Sequence, residues 1–137
     1  MDPANVEERV KKAQTLFKMG YNCSQAVFAA CADHYGMIDK ELALRISASF
    51  GGGIGRMGKT CGVCSAMFLI EGLRSGSALP GDKEGKLRNY SKVRQLAEIF
   101  RRRFGSTTCS TLLARGKAPC EEMVSEAVRI ILTAKLG

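Results

Sequence analysis

Four of the six cysteines in the chain stand where a helix is predicted to begin, and their placement constrains how the chain can fold. They are Cys23, Cys61, Cys109 and Cys120, which we call the helix-start cysteines. Asn22, Thr60 and Pro119, which precede three of them, are residue types typical of helix starts. A helix start presents unpaired N–H groups and the positive end of the helix dipole, and both stabilise a thiolate. Because the four lie far apart in the sequence, only the folded chain can bring them to one site.

The rest of the sequence has a helical period and shows no convincing pair of strands. Asn5 and Glu8 have the capping-box spacing, which predicts the start of a first helix there. Asn22 and Gln25 repeat this spacing for the second helix, and Asp39 is predicted to start a third. With 137 residues the chain is long enough to bury a core. The pattern predicts an all-α, single-domain bundle of five to seven helices with short connections, spanning residues 1–137.

A glycine-rich segment over residues 51–58, the glycine loop, leads into the most apolar helix of the chain. This helix is predicted from residue 61 to about residue 72 with Thr60 as its cap, and a helix that is apolar nearly all round belongs at the centre of a bundle. An exposed loop is predicted over residues 75–85. The apolar faces of the third and fifth helices are predicted at Leu42, Leu44 and Ile46, and at Leu87, Tyr90, Val93, Ala97, Phe100 and Phe104.

Residues 53–60 read G-I-G-R-M-G-K-T and match the phosphate-binding pattern G-x-x-x-x-G-K-[ST]. That pattern requires a buried strand before the loop and a parallel sheet around it, and only the following helix is predicted here. We therefore interpret the match to a nucleotide-binding loop as coincidental and keep nucleotide binding as an alternative. The loop can still hold an anion at a helix start, with Gly58, Lys59 and Gly62 as candidate binding residues and the Cys61 thiolate as a candidate anion.

Cys61 and Cys64 form a C-x-x-C pair in the first turn of the apolar helix. Residues at this spacing share one helix face, so the pair could close a disulfide or bind one metal ion. Residue 65 is Ser rather than His, which disfavours covalently attached haem. Four thiolates without histidine suit zinc or an iron–sulfur cluster. Cys31 fits a buried core position, and His34, the single histidine, is interpreted as a cation at a helix end or a partly buried core residue.

The net charge of +8 and a pI near 9.4 raise a different class of function, a basic helical module that binds nucleic acid or another anionic partner. The basic residues concentrate between positions 83 and 103. Nucleic acid is disfavoured because no helix-turn-helix, zinc finger or aromatic platform is present. No secretory signal or membrane-length apolar segment is present, which predicts a cytoplasmic protein. In a reducing cytoplasm six cysteines favour metal binding or redox chemistry over structural disulfides.

The chain resembles the redox-active protein family named for its C…GCAxxG…C…C cysteine pattern. The stretches that carry the resemblance are YNCSQAV, FGGGIGRMGKTCG, GSTTCSTLL and PCEEMVSEAV, around Cys23, Cys61, Cys109 and Cys120. The resemblance covers nearly the whole chain and implies a small, helical, prokaryotic redox protein in which these four are the family's cysteines. The chain departs from the pattern after Cys61, where Val63 and Ala66 are bulkier than the usual residues and Cys64 is an additional thiol.

Two versions of a redox function follow from these residues. In the first, the helix-start cysteines converge to bind an iron–sulfur cluster or zinc. In the second, no cofactor is present and thiols cycle through disulfides, with Cys61 as the attacking thiolate and Cys64 or another of the helix-start cysteines as the resolving partner. Either version suits a thiol-based or iron–sulfur oxidoreductase. The sequence identifies no redox partner and leaves room for a homodimer.

Overall fold

The computed structural model describes residues 1–114 and 120–137, and this part of the chain is all-α, as predicted. A 3-10 turn, Ala48–Phe50, precedes the glycine loop. The seven α-helices of the described residues are α1 (Pro3–Lys18), α2 (Cys23–Tyr35), α3 (Lys40–Ser47), α4 (Gly62–Ser75), α5 (Lys83–Phe104), α6 (Cys109–Ala114) and α7 (Cys120–Thr133). Gly116 and Pro119, predicted to end one helix and open the next, lie outside the described residues.

The helix-start cysteines stand at helix starts, which confirms that prediction. Cys23, Cys109 and Cys120 are the first residues of α2, α6 and α7, and Cys61 is the N-cap of α4. The capping box of α2 is also present. Its two hydrogen bonds join the Gln25 N–H to the Asn22 side chain over 2.9 Å and the Asn22 N–H to the Gln25 side chain over 3.1 Å.

Two predicted caps are wrong. The first helix begins at Pro3 rather than at Asn5, because proline is favoured in a first turn and the Asp2 side chain accepts the N–H of Ala4 over 3.2 Å. Thr60 does not cap α4. It forms an isolated antiparallel bridge with Thr108, so the N-cap position passes to the next residue.

The core is built around α2 and α4, which pack on each other more extensively than any other pair of helices in the described residues. α4 also contacts α5 and α7, and α1 packs across α2 and α7. The residues of α4 from 62 to 67 are all buried, which confirms its predicted central place. Alanine supplies much of the buried face of α2, and such small side chains allow close helix packing. Its buried alanines are Ala26, Ala29, Ala30 and Ala32.

The predicted apolar faces of α3 and of the first half of α5 are wrong at several positions. α3 buries Ala43 and Ser47 and packs the partly buried Leu44 against the core, as predicted for Leu44, while Leu42 and Ile46 are exposed. In α5 the buried residues are Gly85, Leu96 and Phe100, while Leu87 and Tyr90 are exposed.

A polar contact explains the rotation of α5. The Asn89 side chain donates to the Ser75 hydroxyl over 3.0 Å and to the backbone oxygen of Glu71 over 3.3 Å. These bonds turn the face that carries Asn89 toward the end of α4 and leave the apolar pair Leu87 and Tyr90 on the opposite side.

A buried polar network anchors that end of α4. The side chain of Glu71 is fully buried and pairs with Arg74. The Ser75 hydroxyl donates to the second carboxylate oxygen of Glu71 over 2.6 Å, and Arg74 donates to the backbone oxygen of Ile131 over 2.8 Å. The network joins α4 to α7 at the end remote from Cys61. None of the described helices has the length and apolar character needed to cross a membrane.

Candidate functional site

All four helix-start cysteines line one cavity of about 140 Å³, which we call the thiol cavity. Gly52 and Gly62 complete the part of its wall next to the glycine loop. The rest of the wall is apolar and consists of Val63, Leu112, Leu113 and Met123. Four segments that are distant in the sequence therefore contribute one thiol each to a single site.

Backbone hydrogen bonds tie the start of α6 to the segment before α4. The N–H of Cys109 donates to the oxygen of Lys59 over 2.6 Å, and the N–H of Cys61 donates to the oxygen of Thr107 over 2.7 Å. The N–H of Ser110 reaches the oxygen of Gly58 over 3.2 Å. These bonds set Cys61 and Cys109 beside the same cavity although 47 residues separate them in the sequence.

The glycine loop has an unusual backbone. Six residues of the segment 52–58 have positive φ, and Ile54 and Arg56 are among them at 66° and 63°. This conformation costs an L residue about 1–2 kcal/mol, which explains why glycine dominates the segment. The turn is closed by the N–H of Gly55, which donates to the oxygen of Ser49 over 2.8 Å.

Two glycines make room for the cysteines. A Cβ on Gly53 would lie 2.6 Å from the Cβ of Cys109 and 2.6 Å from the backbone nitrogen of Lys59. A Cβ on Gly62 would lie 2.6 Å from the Sγ of Cys23. Both distances are far below van der Waals contact, so any side chain at either position would displace a cysteine of the cavity.

The surroundings of Cys61 favour the thiolate form of its side chain. Its pKa is lowered to about 7, chiefly because the Cys64 thiol donates a hydrogen bond to it, although burial opposes the shift. Its Sγ makes no capping hydrogen bond of regular geometry, yet the N–H groups of Val63 and Cys64 in the first turn of α4 also favour its thiolate. Near neutral pH a substantial fraction of Cys61 is therefore in the reactive, metal-binding form.

The pKa values of Cys23, Cys109 and Cys64 are shifted in the opposite direction. Burial raises the pKa of Cys23 to about 11, and the charges of Cys61 and Cys120 add to the effect, while the N–H groups of Ser24 and Gly52 act against it.

The pKa of Cys109 is also raised, by burial first and then by the charges of Cys61 and Cys120. Cys64 has a raised pKa because its thiol donates a hydrogen bond to the Cys61 sulfur and is itself buried. The cysteines around the cavity thus oppose one another's ionisation. A cation bound at the site would offset this repulsion and favour the thiolates of Cys23 and Cys109.

The remaining candidate residues lie outside the cavity wall. Cys64 is fully buried behind Cys61, and Cys31 is fully buried in α2, where burial raises its pKa to about 12. The side chain of Lys59 is exposed, and Gly58 packs near Ser110. Lys59 and Gly58 hold the site through their backbone oxygens rather than by facing the cavity.

The sequence interpretation missed several wall residues, some of which had a signal. Leu112 and Met123 follow Cys109 and Cys120 by three residues, so one helical turn places each on the same face as its cysteine. Gly52 had no such signal. Its place in the wall depends on the left-handed path of the glycine loop.

The setting of the phosphate-loop match is that of a helical protein. The 3-10 turn Ala48–Phe50, not a strand, precedes residues 53–60, and α4 follows. The structure therefore lacks the buried strand and sheet that this pattern requires in the part of the chain that it describes.

The donor set of the cavity, four thiols without histidine, fits zinc or an iron–sulfur cluster. Gly53 and Gly62 have no side chain, and this leaves the space in which Cys109 and Cys23 lie beside the cavity. Across residues 1–114 and 120–137, no three Cys, His, Asp or Glu side chains are already drawn together around a single metal-ion position.

A protein-family model described as "Putative redox-active protein (C_GCAxxG_C_C)" matches residues 21–134. The match includes every residue of the thiol cavity wall. Comparison with curated proteins and with solved structures gave no match.

Proposed function

The chain belongs to the family of redox-active proteins with the C_GCAxxG_C_C signature, and on this basis we propose that it holds an iron–sulfur cluster in the thiol cavity. The helix-start cysteines would be its ligands. The observation that carries the proposal is that all four line one cavity of about 140 Å³. Ligand sets made only of cysteine are those of common two-iron and four-iron clusters.

The electrostatics of the cavity support a bound cation. The pKa of Cys23 is about 11, raised by burial and by the charges of Cys61 and Cys120. Without a cation, the Cys23 thiol therefore retains its proton at neutral pH. A metal that binds there relieves the repulsion, so we expect binding to release protons and to strengthen as the pH rises.

A cluster matches the cavity and the family better than a single zinc ion does. Zinc has no redox chemistry, whereas the family is redox-active. A volume of about 140 Å³ is also roughly ten times the 10–15 Å³ that one water molecule requires. Zinc in place of iron is an outcome that the experiment below distinguishes.

The protein supplies binding, shielding and hydrogen bonding, while a bound cluster supplies one-electron transfer. The N–H groups of Ser24 and Gly52 favour the Cys23 thiolate, and those of Val63 and Cys64 favour the Cys61 thiolate. Such N–H groups near ligand sulfurs raise a reduction potential. The apolar side chains of the wall keep water away from the sulfurs.

The alternative of dithiol–disulfide cycling without a cofactor has weaker support. In the form that pairs Cys61 with Cys64, it uses a thiol that does not line the thiol cavity and leaves the convergence of the other three cysteines without a purpose. In the form that pairs Cys61 with another helix-start cysteine, it still uses only two of the four thiols of the cavity. We further propose that the protein acts in a reducing, cytoplasmic compartment with an unidentified electron-transfer partner, because all six cysteines are free thiols.

The alternative function, a basic helical module that binds an anionic partner, has weaker support because some of its basic side chains form ion pairs within the protein. Arg101 and Arg102 both pair with Glu98, and Arg103 lies 3.5 Å from Glu126. These ion pairs offset part of the charge of the three consecutive arginines, so the surface there is less basic than the sequence alone indicates.

Serine substitution of each helix-start cysteine tests the proposal. The wild type and the four variants would be reconstituted with iron and sulfide without oxygen, and bound iron and sulfide would be measured. We expect the wild type to bind both and each variant to lose most of the iron.

Cys31→Ser is the matched control, because Cys31 is a fully buried cysteine that lies away from the cavity. It should retain the wild-type iron content. Variants that bind iron as well as the wild type, or a wild type that binds only zinc, would contradict the cluster assignment.

A further inference from the structure

We infer that Cys61 and Cys64 form a reversible disulfide that withdraws Cys61 from the thiol cavity and so releases the bound metal when the protein is oxidised. The predicted release rests on the proposed function. The disulfide itself rests on the positions of the two cysteines at the N-cap and the third residue of α4, and it can be tested without any metal.

The positions of the two cysteines favour bond formation. Cys61 is the N-cap of α4, with φ of −52° and ψ of 135°, so it lies just outside the helix. Cys64 is the third residue of the helix. An N-cap side chain is directed toward the third helical residue, which is the geometry of a capping box.

Cys61 and Cys64 lie three residues apart, at the N-cap and in the first turn of α4, so their side chains share one side of the helix start. Within a regular helix, Cβ atoms at this spacing are about 5–6 Å apart, whereas a disulfide needs about 3.5–4.5 Å. Because Cys61 is outside the helix, a change in its own backbone and side-chain angles can close this difference. The hydrogen bonds of α4 need not break.

Cys64 has no other assigned role. It is fully buried, does not line the thiol cavity and is not a ligand in the proposed centre. Cys31 is equally buried, but the charged groups that act on it are Arg9, Asp33 and Lys12 rather than another cysteine. Two fully buried cysteines lie outside the cavity wall. Of these, only Cys64 lies within one helical turn of a cysteine that lines the cavity.

Hydrogen peroxide is the class of oxidant that fits the site, because it is small and the wall of the thiol cavity includes Leu113, which is 59% exposed. The Cys61 thiolate attacks one peroxide oxygen. An S–O bond forms, the O–O bond breaks, and the hydroxide that leaves takes up a proton to become water. Cys61 is then a sulfenic acid.

The Cys64 sulfur next attacks the Cys61 sulfur. The S–S bond forms, the S–O bond breaks, and the hydroxyl group leaves with the Cys64 proton as a second water. In sum, two thiols lose two electrons and one peroxide becomes two waters. A dithiol such as dithiothreitol reverses the reaction by thiol–disulfide exchange.

The disulfide removes one of the four ligands. Since only a thiolate binds metal, a Cys61 sulfur that is bonded to Cys64 leaves three cysteines in the cavity. We expect the metal to be released as the disulfide forms, and to be bound again after reduction and renewed supply of iron and sulfide.

Peptide mapping tests the disulfide directly. Cleavage after Lys59 and Arg74 yields a peptide of residues 60–74 that contains Cys61, Cys64 and no other cysteine. The metal-free wild type would be treated with peroxide, alkylated and digested. We expect this peptide to escape alkylation and to be two hydrogens lighter, and dithiothreitol to restore it. If Cys61 instead pairs with another cysteine, or stays reduced while other cysteines are oxidised, the inference is wrong.

Metal release is tested on the reconstituted protein with Cys64→Ala and the control Cys31→Ala. Peroxide should remove iron from the wild type and from Cys31→Ala in step with the loss of two free thiols, whereas Cys64→Ala should lose it much more slowly. Equal loss of iron from Cys64→Ala would overturn the inference that the Cys61–Cys64 disulfide releases the metal. Should Cys64→Ala fail to fold, Cys64→Val serves as the second variant. A protein that binds no iron contradicts the proposed function, while the peptide map still decides whether the disulfide exists.

Discussion

The Sγ of Cys23 lies 2.6 Å from the position that a Cβ on Gly62 would occupy. The first residue of α2 and the first residue of α4 therefore approach each other as closely as glycine permits. This contact joins the two central helices at the edge of the thiol cavity, so the packing of the core and the position of one cavity cysteine depend on the same residue.

Gly62→Ala should displace the Cys23 sulfur and strain the contact between α2 and α4. We expect a loss of about 1–3 kcal/mol in the free energy of unfolding, as for other additions to a packed core, together with reduced iron binding after reconstitution. Gly72→Ala is the matched control in the same helix, since nothing lies within 4 Å of a Cβ there. It should stabilise the protein by about 0.5–1 kcal/mol through helix propensity. Urea unfolding measures both, and equal effects at the two glycines would refute the account of this contact.

The glycine loop offers a second matched pair, Gly53 and Gly55. Both have positive φ, so alanine is strained at either position by about 1–2 kcal/mol. A Cβ on Gly53 also collides with Cys109 and with the backbone of Lys59, whereas a Cβ on Gly55 meets nothing within 4 Å. We expect Gly53→Ala to be the more destabilising variant in urea and to lose bound iron. Gly55→Ala should retain the iron.

The reactivity of Cys61 in the metal-free protein should depend on pH in a characteristic way. The thiolate is the reactive form, so alkylation accelerates as the pH rises through the pKa of a thiol. Because the pKa of Cys61 is lowered to about 7, its alkylation should reach half its maximal rate near pH 7, while that of Cys23 should still be rising at pH 10, below its pKa of about 11. Iodoacetamide labelling followed by peptide mass spectrometry measures both. A Cys61 midpoint near 9, the ordinary value, would contradict the assigned environment.

Glu71→Ala should be severely destabilising. The side chain is fully buried and paired with Arg74, and removal of one partner of a buried pair costs about 3–5 kcal/mol because the other charge is left without compensation. Glu7, which pairs with Arg129 at 2.9 Å on the surface, is the control, and Glu7→Ala should leave the urea midpoint close to that of the wild type. Comparable shifts for the two variants would show that the Glu71 network is not the anchor we describe.

The helix starts could be predicted because their signals are local. The side chains of Asn22 and Gln25 bond within one turn, and no distant residue alters that choice. The exposed faces could not be predicted in the same way. Leu87 and Tyr90 have the spacing of a buried stripe, but the bonds from Asn89 to the end of α4 rotate that half of α5 outward. A contact between distant segments overrides the apolar period there.

The same distinction between local signals and contacts between distant segments applies to the candidate site. That Cys61 and Cys109 share a type of local position could be read from the sequence, whereas their meeting at one cavity depends on the hydrogen bonds from Cys109 to Lys59 and from Cys61 to Thr107. The role of Gly52 in the wall was hidden because it follows from a left-handed backbone rather than from residue type.

The most direct test of the central claim is the visible absorption spectrum of the wild-type protein purified without oxygen, together with its iron and acid-labile sulfide content. If the four cysteines of the thiol cavity hold an iron–sulfur cluster, the protein will be coloured, with charge-transfer bands and stoichiometric iron and sulfide. A colourless protein that contains neither iron nor sulfide, and takes up neither on reconstitution, would contradict the claim.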